Sequence, residues 1–246
     1  MKRYKLAPKR ASNPYKSKKI RERVQNRISA RYQAYLFNGF LSHNGETGLL
    51  KGSNGLRSGR QKGAESTMNH VNFAGKFDFY GIRGLRLGVS GYHGKTQAVD
   101  GQNQIPGSEI GVSMLGIDGR YTYKKFSARG QYALASLIDT DLYNELTGRD
   151  LGSKLMGYYL EAAYNVLPFK NRQRLEGFVR YENFNTHHEV GNIVLKNKAF
   201  HRKEWTFGFS YHIAPGAVYK MDYQTKSTAI SNSTKGQFNM GVGIWF

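Results

Sequence analysis

The sequence predicts an all-β fold, a transmembrane antiparallel up-and-down β-barrel of about ten strands, and three observations predict it. The first is alternation at the carboxy terminus, where every second residue from 238 to 246 is apolar. Because successive side chains of a strand point to opposite faces, this segment has one apolar face and one polar or small face. The second observation is the length of the strand-like runs, and the third is the order of the connections between them.

Runs with the two-residue period of a strand recur along 28–246, which we interpret as one barrel domain. They span 28–41, 70–80, 85–93, 110–123, 126–138, 153–167, 173–184, 200–213, 217–226 and 237–246. Strands of about 9 to 14 residues cross a bilayer when tilted, whereas soluble sandwich strands are usually nearer five or six. The even number of strands places both ends of the barrel on the same side of the membrane.

The connections between these runs alternate between long and short. The long ones span 42–69, 94–109, 139–152, 185–199 and 227–236, and the short ones span 81–84, 124–125, 168–172 and 214–216. Long loops at one rim and short turns at the other are typical of outer-membrane barrels. We therefore expect the protein in the outer membrane of a Gram-negative bacterium. A soluble up-and-down barrel could share this alternation, but the strand length and the terminal Phe246 argue against it.

The composition agrees with this class and excludes others. The chain of 246 residues has 29 Gly, 17 Tyr, 14 Phe and no Cys, and its mean hydropathy is −0.60. Glycine and aromatic residues suit twisted strands and interfacial girdles. No stretch approaches the roughly 18 to 20 apolar residues that a membrane-spanning helix needs. The absence of Cys excludes disulfides and thiol catalysis.

Five segments carry a resemblance to a known family. They are RYQAY at 31–35, GLRLGVSGYHG at 84–94, LEAAYNVLP at 160–168, FVRYENF at 178–184 and VYKMDYQ at 218–224. This pattern is similar to the carboxy-terminal part of Gram-negative porins of the porin O and porin P type, and the resemblance covers roughly 28–246. It implies an outer-membrane channel, in some relatives one selective for phosphate or polyphosphate.

The resemblance also implies partners and a longer protein. An aromatic terminal residue, here Phe246, marks such barrels for the barrel-insertion machinery. Outer-membrane lipid and lipopolysaccharide would surround the barrel, and porins of this type often form homotrimers. Family members carry a signal peptide and several strands before the matched region. We therefore expect this chain to be amino-terminally incomplete.

Residues 1–27 form a separate basic segment with eleven positive charges against Glu22. The segment lacks the apolar core that an export signal requires. Three interpretations stay open: a misplaced start or frameshifted gene, a disordered solvated arm, and an arm for nucleic acid or anionic lipid. No aromatic interleaving or nucleic-acid motif supports the last, so we expect no nucleic-acid partner.

The charges of the barrel strands predict the lining of a pore. Taking the polar side of each strand as inward, the candidates are Arg31, Lys76, Arg86, Arg120, Arg129, Arg180, Lys220, Asp78, Asp118, Glu161, Glu176, Glu182 and Asp222. A mixed lining hydrates a channel, and an excess of Arg or Lys favours anions. Structural pairing of these charges across neighbouring strands is the competing interpretation.

The loop 42–69 is the best candidate for a constriction, with Arg57, Arg60 and Lys62 as its basic residues. No further Arg ladder or basic loop cluster matches the family, so its phosphate specificity does not carry over to named residues. The glycine-rich run 55–63 lacks the spacing and the strand-to-helix context of a phosphate-binding loop. We interpret it as a flexible outer or constriction loop.

The sequence predicts no catalytic, metal or cofactor site. His187, His188 and Glu189 lie together, but no third ligand stands at useful spacing, and we interpret them as a surface loop. Recurrent aromatic residues near strand ends indicate interfacial girdles, although a sugar-stacking track in the lumen would use the same residues. These aromatic residues are Tyr32, Tyr80, Tyr92, Tyr121, Tyr123, Tyr158, Tyr164, Tyr181, Trp205, Tyr211 and Trp245, of which parity turns Tyr92 and Trp245 inward.

These observations predict a passive porin for small hydrophilic solutes, with selectivity set by width, lining charge and inward-folded loops. One difficulty is size, because ten closed strands make a narrow barrel whose side chains could fill it. A non-conducting outer-membrane barrel that anchors or scaffolds partners is the main alternative. An outer-membrane hydrolase is a third, and it would need a Ser, a His and a polar residue converging on one wall.

Overall fold

The computed structural model of the chain describes residues 29–63, 66–99, 107–168 and 173–245, without the side chain of Asn232. The basic segment 1–27 and the terminal Phe246 lie outside these residues, and their predicted roles stay predictions. Within this part of the chain, no helix is long and apolar enough to cross a bilayer.

Twelve strands account for most of the described residues. They are β1 (Ala30–Asn38), β2 (Leu41–His43), β3 (Val71–Ile82), β4 (Leu85–Lys95), β5 (Gln97–Ala98), β6 (Gly111–Tyr123), β7 (Phe126–Ile138), β8 (Lys154–Asn165), β9 (Arg174–Glu189), β10 (His201–Ala214), β11 (Ala217–Thr228) and β12 (Ser231–Ile244). Among the described residues, the connections contain one α-helix, α1 (Thr140–Thr147), and two short 3-10 helices, Arg57–Gly59 and Lys198–Phe200.

Ten of these strands form one antiparallel sheet, and β2 and β5 form a small parallel pair beside it. The order in the large sheet follows the chain, from β1 through β3, β4 and β6 to β12. This confirms the predicted all-β class and the ten antiparallel strands in up-and-down order. Strands β1 and β12 are the two edges of the sheet, and no ladder joins them in the described residues.

The two-residue period gives the sheet two chemically different faces. On one face, Phe77 of β3 lies opposite Val89 of β4, which lies opposite Ile117 of β6, and all three are about half exposed. The last strand presents Phe238 and Val242 in the same way. We call this side of the ten strands the apolar face.

Two of the predicted long loops are shorter than expected because their strands continue. The sequence predicts a loop over 227–236, but β11 runs to Thr228 and pairs with Ser231 at the start of β12. Similarly, β9 continues to Glu189 through the first residues of the predicted loop 185–199. In the predicted loop 139–152, helix α1 occupies 140–147.

The short turns lie where the sequence predicts them. Strands reverse at 83–84, 124–125 and 215–216, while most of 168–172 lies outside the described residues. In the turn at 124–125, Lys124 has a φ of +51°, a left-handed conformation that costs an L-residue free energy. The turn therefore stores strain that a glycine would relieve.

Candidate functional site

The face opposite the apolar face carries rows of charged side chains. Residues in register on neighbouring antiparallel strands share a face, and Arg86, Arg120, Arg129, Glu161 and Arg180 form such a row across β4 to β9. The register and the two-residue period place all thirteen candidate pore-lining residues on this side. We call it the charged face. That these residues line a pore stays a prediction.

At the β3–β6 side of the charged face, two aspartates and two cations form one cluster. Asp118 accepts from Lys76 at 2.7 Å, joining Nζ to Oδ2, and also from the guanidinium of Arg86. Asp78 is almost fully buried, and its Oδ1 lies 3.6 Å from Lys76 Nζ. Gly88 lies beneath the two carboxylates, and a Cβ there would contact Asp118 and come within 2.8 Å of Asp78 Oδ1. The absence of a side chain at Gly88 makes room for the cluster.

A second cluster follows on β7, β8 and β9. Arg129 Nη2 donates to Glu161 Oε2 at 2.8 Å, and Arg129 Nε lies 2.8 Å from Glu161 Oε1 in an ion pair. Arg180 lies 3.9 Å from the same carboxylate, pairs with Glu182, and places its Cζ 4.3 Å from the centre of the Tyr159 ring. The competing expectation that these charges pair across strands therefore describes both clusters. The pairing fixes the orientation of planar guanidinium groups against the sheet.

Three of the candidate cations have no ion pair among the described residues: Arg31, Arg120 and Lys220. Arg120 lies directly between Arg86 and Arg129 in the row, an unfavourable arrangement of like charges. Its positive charge is thus uncompensated by the neighbouring strands. This part of the charged face therefore has a local excess of positive charge.

The charged face curves around a cavity of about 600 Å³ that six consecutive strands, β6 to β11, line. Five cationic side chains and four carboxylates face it, namely Arg120, Arg129, Arg174, Arg180, Lys220, Glu161, Glu176, Glu182 and Asp222. A smaller cavity of about 280 Å³ continues toward Lys76 and Arg86 and shares Arg120 and Arg129 with the first. Water-accessible charged surface therefore extends across most of the sheet.

The connection between β1 and β3 crosses the charged face instead of standing away from the sheet. We call its residues 39–63 the inner loop. Gly52 donates from its N–H to Asp150 Oδ1 at 2.9 Å and accepts from Thr186 Oγ1 of β9. The carbonyl of Ser53 accepts from Arg202 Nη2 of β10 at 3.0 Å. The tip of the inner loop is thus held by strands far along the sheet from its own.

Apolar contacts hold the same loop at the end of the sheet that carries the long connections. The buried core there consists of Leu50, Leu56, Ile110, Val112, Leu137, Tyr143 and Leu151, with Phe40, Tyr92, Met114 and Leu155 packed against it. On β6, Val112 and Met114 have the same parity as Asp118, so this core lies on the charged side of the sheet. The charged face is therefore apolar at this one end, where the inner loop covers it.

Tyr143 of α1 anchors the inner loop from inside this core. Its hydroxyl accepts from the Leu50 N–H at 3.0 Å and donates to the Ser42 carbonyl at 3.1 Å. Burial raises the pKa of the Tyr143 phenol, so the group stays neutral. Asn144 adds two hydrogen bonds of 2.8 Å to the backbone of Leu151.

The three basic residues of the predicted constriction loop all belong to the inner loop. Arg57, Arg60 and Lys62 are exposed, and Arg57 begins a 3-10 turn. Arg60 Nε donates to the Arg57 carbonyl at 3.3 Å. The structure therefore brings the loop onto the charged face, while the three side chains stay in contact with solvent.

The expectation that His187, His188 and Glu189 form a surface loop is wrong, because they belong to β9. His187 is fully buried, its Nε2 lies 2.6 Å from the Asp150 carbonyl, and its ring packs edge-on against Phe200. The sequence does not predict these contacts of His187, because Asp150 and Phe200 lie in separate connections and no local pattern marks them. The described residues contain no group of three His, Cys, Asp or Glu that could hold a metal.

Aromatic residues gather on the apolar face near the inner-loop end. Tyr158, Tyr181, Trp205 and Phe207 form a row with ring centroids 6.1, 4.7 and 5.9 Å apart. Tyr92 points to the other side, as parity predicts, and its hydroxyl donates to Asn72 Oδ1 at 2.8 Å. That this row is an interfacial girdle stays a prediction.

Comparison with known proteins identifies a longer relative but indicates no activity. No family model matches the chain. The chain is 28% identical over 197 residues to an uncharacterized protein of Aquifex aeolicus (strain VF5), an alignment that covers 78% of this chain and 44% of that protein. The chain thus spans less than half the length of this relative.

Proposed function

We propose that the protein is an outer-membrane porin through which small hydrophilic solutes diffuse passively. The observation that carries the proposal is the chemical contrast between the two faces of one curved sheet. Exposed apolar side chains such as Phe77 and Val242 suit contact with lipid, whereas the opposite face surrounds a charged cavity of about 600 Å³. A sheet with one lipid-compatible and one aqueous face is what a transmembrane barrel needs.

The proposed mechanism uses the charged face as the lining of a hydrated path. Ion pairs such as Arg129 with Glu161 keep water along the wall without a deep binding site, so solutes pass without being trapped. The uncompensated Arg120 and Lys220 add positive potential to the lining of the cavity. We therefore expect a preference for small anions, phosphate among them.

The inner loop is the proposed constriction. Its hydrogen bonds to Asp150, Thr186 and Arg202 hold it across the aqueous face, where it narrows the path. The resemblance to porins of the porin O and porin P type supports this proposal. It also supports a location in the outer membrane, in contact with lipid and lipopolysaccharide. By the same resemblance, the barrel-insertion machinery would insert the protein, and the protein would form a homotrimer. The proposal contains no catalytic step, cofactor, metal or nucleic acid.

A planar lipid bilayer recording tests the proposal directly. The full chain is refolded in detergent, added to the bilayer, and single-channel current is recorded under a salt gradient. We expect discrete current steps and a reversal potential whose sign indicates selectivity for anions. Folded protein, recognised by its heat-modifiable mobility, that gives no current would contradict the porin proposal.

A charge reversal in the cavity tests the proposed lining. Lys220→Glu should move the reversal potential toward cations, because Lys220 lines the cavity. Lys198→Glu is the matched control, since Lys198 is an exposed residue of a connection. Equal shifts in both variants would mean that Lys220 does not line the conducting path.

A non-conducting barrel that anchors or scaffolds partners is the second candidate. The observation in its favour is the core of Leu50, Tyr143 and Leu151, whose side chains are fully buried and fill one end of the charged side. If this core closes the path, folded protein stays silent in the bilayer. Substitutions that remove the contacts of the inner loop would then produce a current that the unmodified chain lacks.

A further inference from the structure

Two short turns lie side by side at one rim of the sheet. Arg83 and Gly84 connect β3 to β4, and Lys124 and Lys125 connect β6 to β7. The Gly84 carbonyl accepts from the Thr122 N–H at 2.8 Å, and a Cβ at Gly84 would clash with the Thr122 carbonyl oxygen. The glycine therefore lets the first turn pack directly against the strand that leads into the second.

These two turns carry three cations, Arg83, Lys124 and Lys125, which we call the basic rim. Arg83 and Lys124 are exposed, and neither forms an ion pair with another described residue. Outside the strands, the described carboxylates all lie in the long connections at the other end of the sheet, namely Glu46, Glu109, Asp139, Asp141, Glu145 and Asp150. The basic rim is therefore positive, and its own turns contain no carboxylate.

Aromatic rings on the apolar face lie next to these cations. Tyr123 is opposite Phe126 in register, and Phe126 is opposite Tyr164, so the three rings form a row across β6, β7 and β8. All three are exposed, and Lys124 Nζ lies 5.2 Å from the centre of the Tyr123 ring. In a bilayer, tyrosine rings favour the headgroup level, where the adjacent cations would meet lipid phosphates.

We propose that the basic rim binds the headgroups of anionic phospholipids in the leaflet at the short-turn end of the sheet. This inference rests on the proposed membrane location and adds a lipid class to it. Guanidinium and ammonium groups donate to phosphate oxygens, while the aromatic row packs against the adjoining parts of the lipid. Charge complementarity selects this occupant, because a positive rim attracts a headgroup with net negative charge more strongly than a zwitterionic one.

The long-loop end of the apolar face has a different charge arrangement. Lys154 of β8 pairs there with Glu189 of β9 at 2.8 Å. Lys95, at the end of β4, lines one surface hollow together with Asp139. Carboxylates thus accompany these cations, and their charges offset the positive potential. We therefore expect the preference for anionic lipid at the short-turn end and not at the long-loop end.

Quenching of tryptophan fluorescence by brominated lipids measures this preference at a chosen position. The chain has two tryptophans, Trp205 and Trp245. Phe126→Trp, in a full-length chain that also carries Trp205→Phe and Trp245→Phe, reports on the basic rim. The chain with Trp245→Phe alone keeps Trp205, which reports on the long-loop end. Both chains are refolded into phosphatidylcholine vesicles that contain brominated phosphatidylglycerol or brominated phosphatidylcholine, and heat-modifiable mobility verifies folding.

At the Phe126→Trp reporter, phosphatidylglycerol should bind about fivefold more tightly than phosphatidylcholine, the effect of one cation near an anionic headgroup. The Trp205 reporter should not distinguish the two lipids. Adding Arg83→Gln and Lys124→Gln should abolish the preference at the basic rim. Lys95→Gln with Lys198→Gln is the matched control, since it removes two exposed cations from the long-loop end and should leave the preference unchanged.

Equal quenching by the two lipids at the Phe126→Trp reporter would overturn the inference, as would a preference that survives Arg83→Gln with Lys124→Gln. Loss of the preference on adding inorganic phosphate at matched ionic strength would also overturn it, because the site would then belong to a free anion. Quenching by neither lipid would contradict the membrane location itself. A lipid preference in folded protein that passes no current would contradict only the channel and leave the lipid site standing.

Discussion

The charged side of the sheet consists of two regions that differ in how water reaches them. Around Arg129 and Arg180 the face is open, and its charges are arranged in pairs at the surface of a cavity. Around Leu50 and Tyr143 it is apolar, and the inner loop covers it completely. The difference teaches that one sheet face performs two tasks: apolar burial fixes the loop, and paired charges keep the remaining surface wet.

Removing apolar volume beneath the inner loop should have the largest effect. Leu50→Ala is expected to destabilise the loop by about 2–5 kcal/mol, since Leu50 is 0% exposed and leaves a cavity. Hydrogen exchange of residues 41–63 measures the loss. Leu195→Ala, at a position that is 93% exposed, is the control and should leave protection unchanged. Equal protection in both variants would mean that the core does not hold the loop.

Removing a polar anchor of the same core should have a smaller effect. Asn144→Ala removes both hydrogen bonds to the Leu151 backbone and leaves a buried N–H and C=O without partners, at a cost of about 1–3 kcal/mol. Limited proteolysis of the loop region reports the change. Asn192→Ala, at an exposed position, provides the comparison. An unchanged cleavage rate in Asn144→Ala would contradict the anchoring role.

A change at the opposite rim should stabilise the sheet without affecting the loop. Lys124→Gly relieves the positive φ of the turn and should raise stability by about 0.5–1 kcal/mol. Urea unfolding in detergent measures it. Lys125→Gly is the matched variant, and it should give no gain because Lys125 does not have a positive φ. A gain shared by both variants would point to a different cause.

The smallest expected effect is on selectivity in the open region. Glu161→Gln removes the carboxylate that binds Arg129 and lies near Arg180, so the local surplus of positive charge grows. We expect the anion-to-cation permeability ratio to rise about twofold. The reversal potential of single channels measures this ratio, with Glu145→Gln at an exposed position of α1 as the control. A ratio that falls would contradict the assigned lining.

Much of the fold is readable in the sequence because a strand with two different faces has a visible period. Alternation around Phe77, Phe207 and Val242 predicts both the strands and the side on which the charges lie. The pattern stops where both faces are polar. Over 227–236, Ser, Thr, Lys and Gly occupy both sides of the strands, yet backbone pairing continues from Lys226 opposite Lys235 to Thr228 opposite Ser231. The prediction of a loop there is wrong for that reason.

The candidate site is only half predictable for a related reason. Parity assigns the thirteen charged residues to one face, but it does not say which of them pair, since Glu161 has arginines on both neighbouring strands. The anchoring of the inner loop is beyond local pattern altogether. Gly52 contacts Asp150 and Thr186, which are 98 and 134 residues away along the chain, and no short motif marks such contacts.

Gly88 links the sequence of one strand to the chemistry of two others. Because Asp78 and Asp118 occupy the space above it, a side chain at position 88 would displace both carboxylates from Lys76 and Arg86. The three positions should therefore change together during evolution. Among relatives that keep both aspartates we expect glycine at the position equivalent to 88, and larger residues should enter there only in lineages in which an aspartate has been lost.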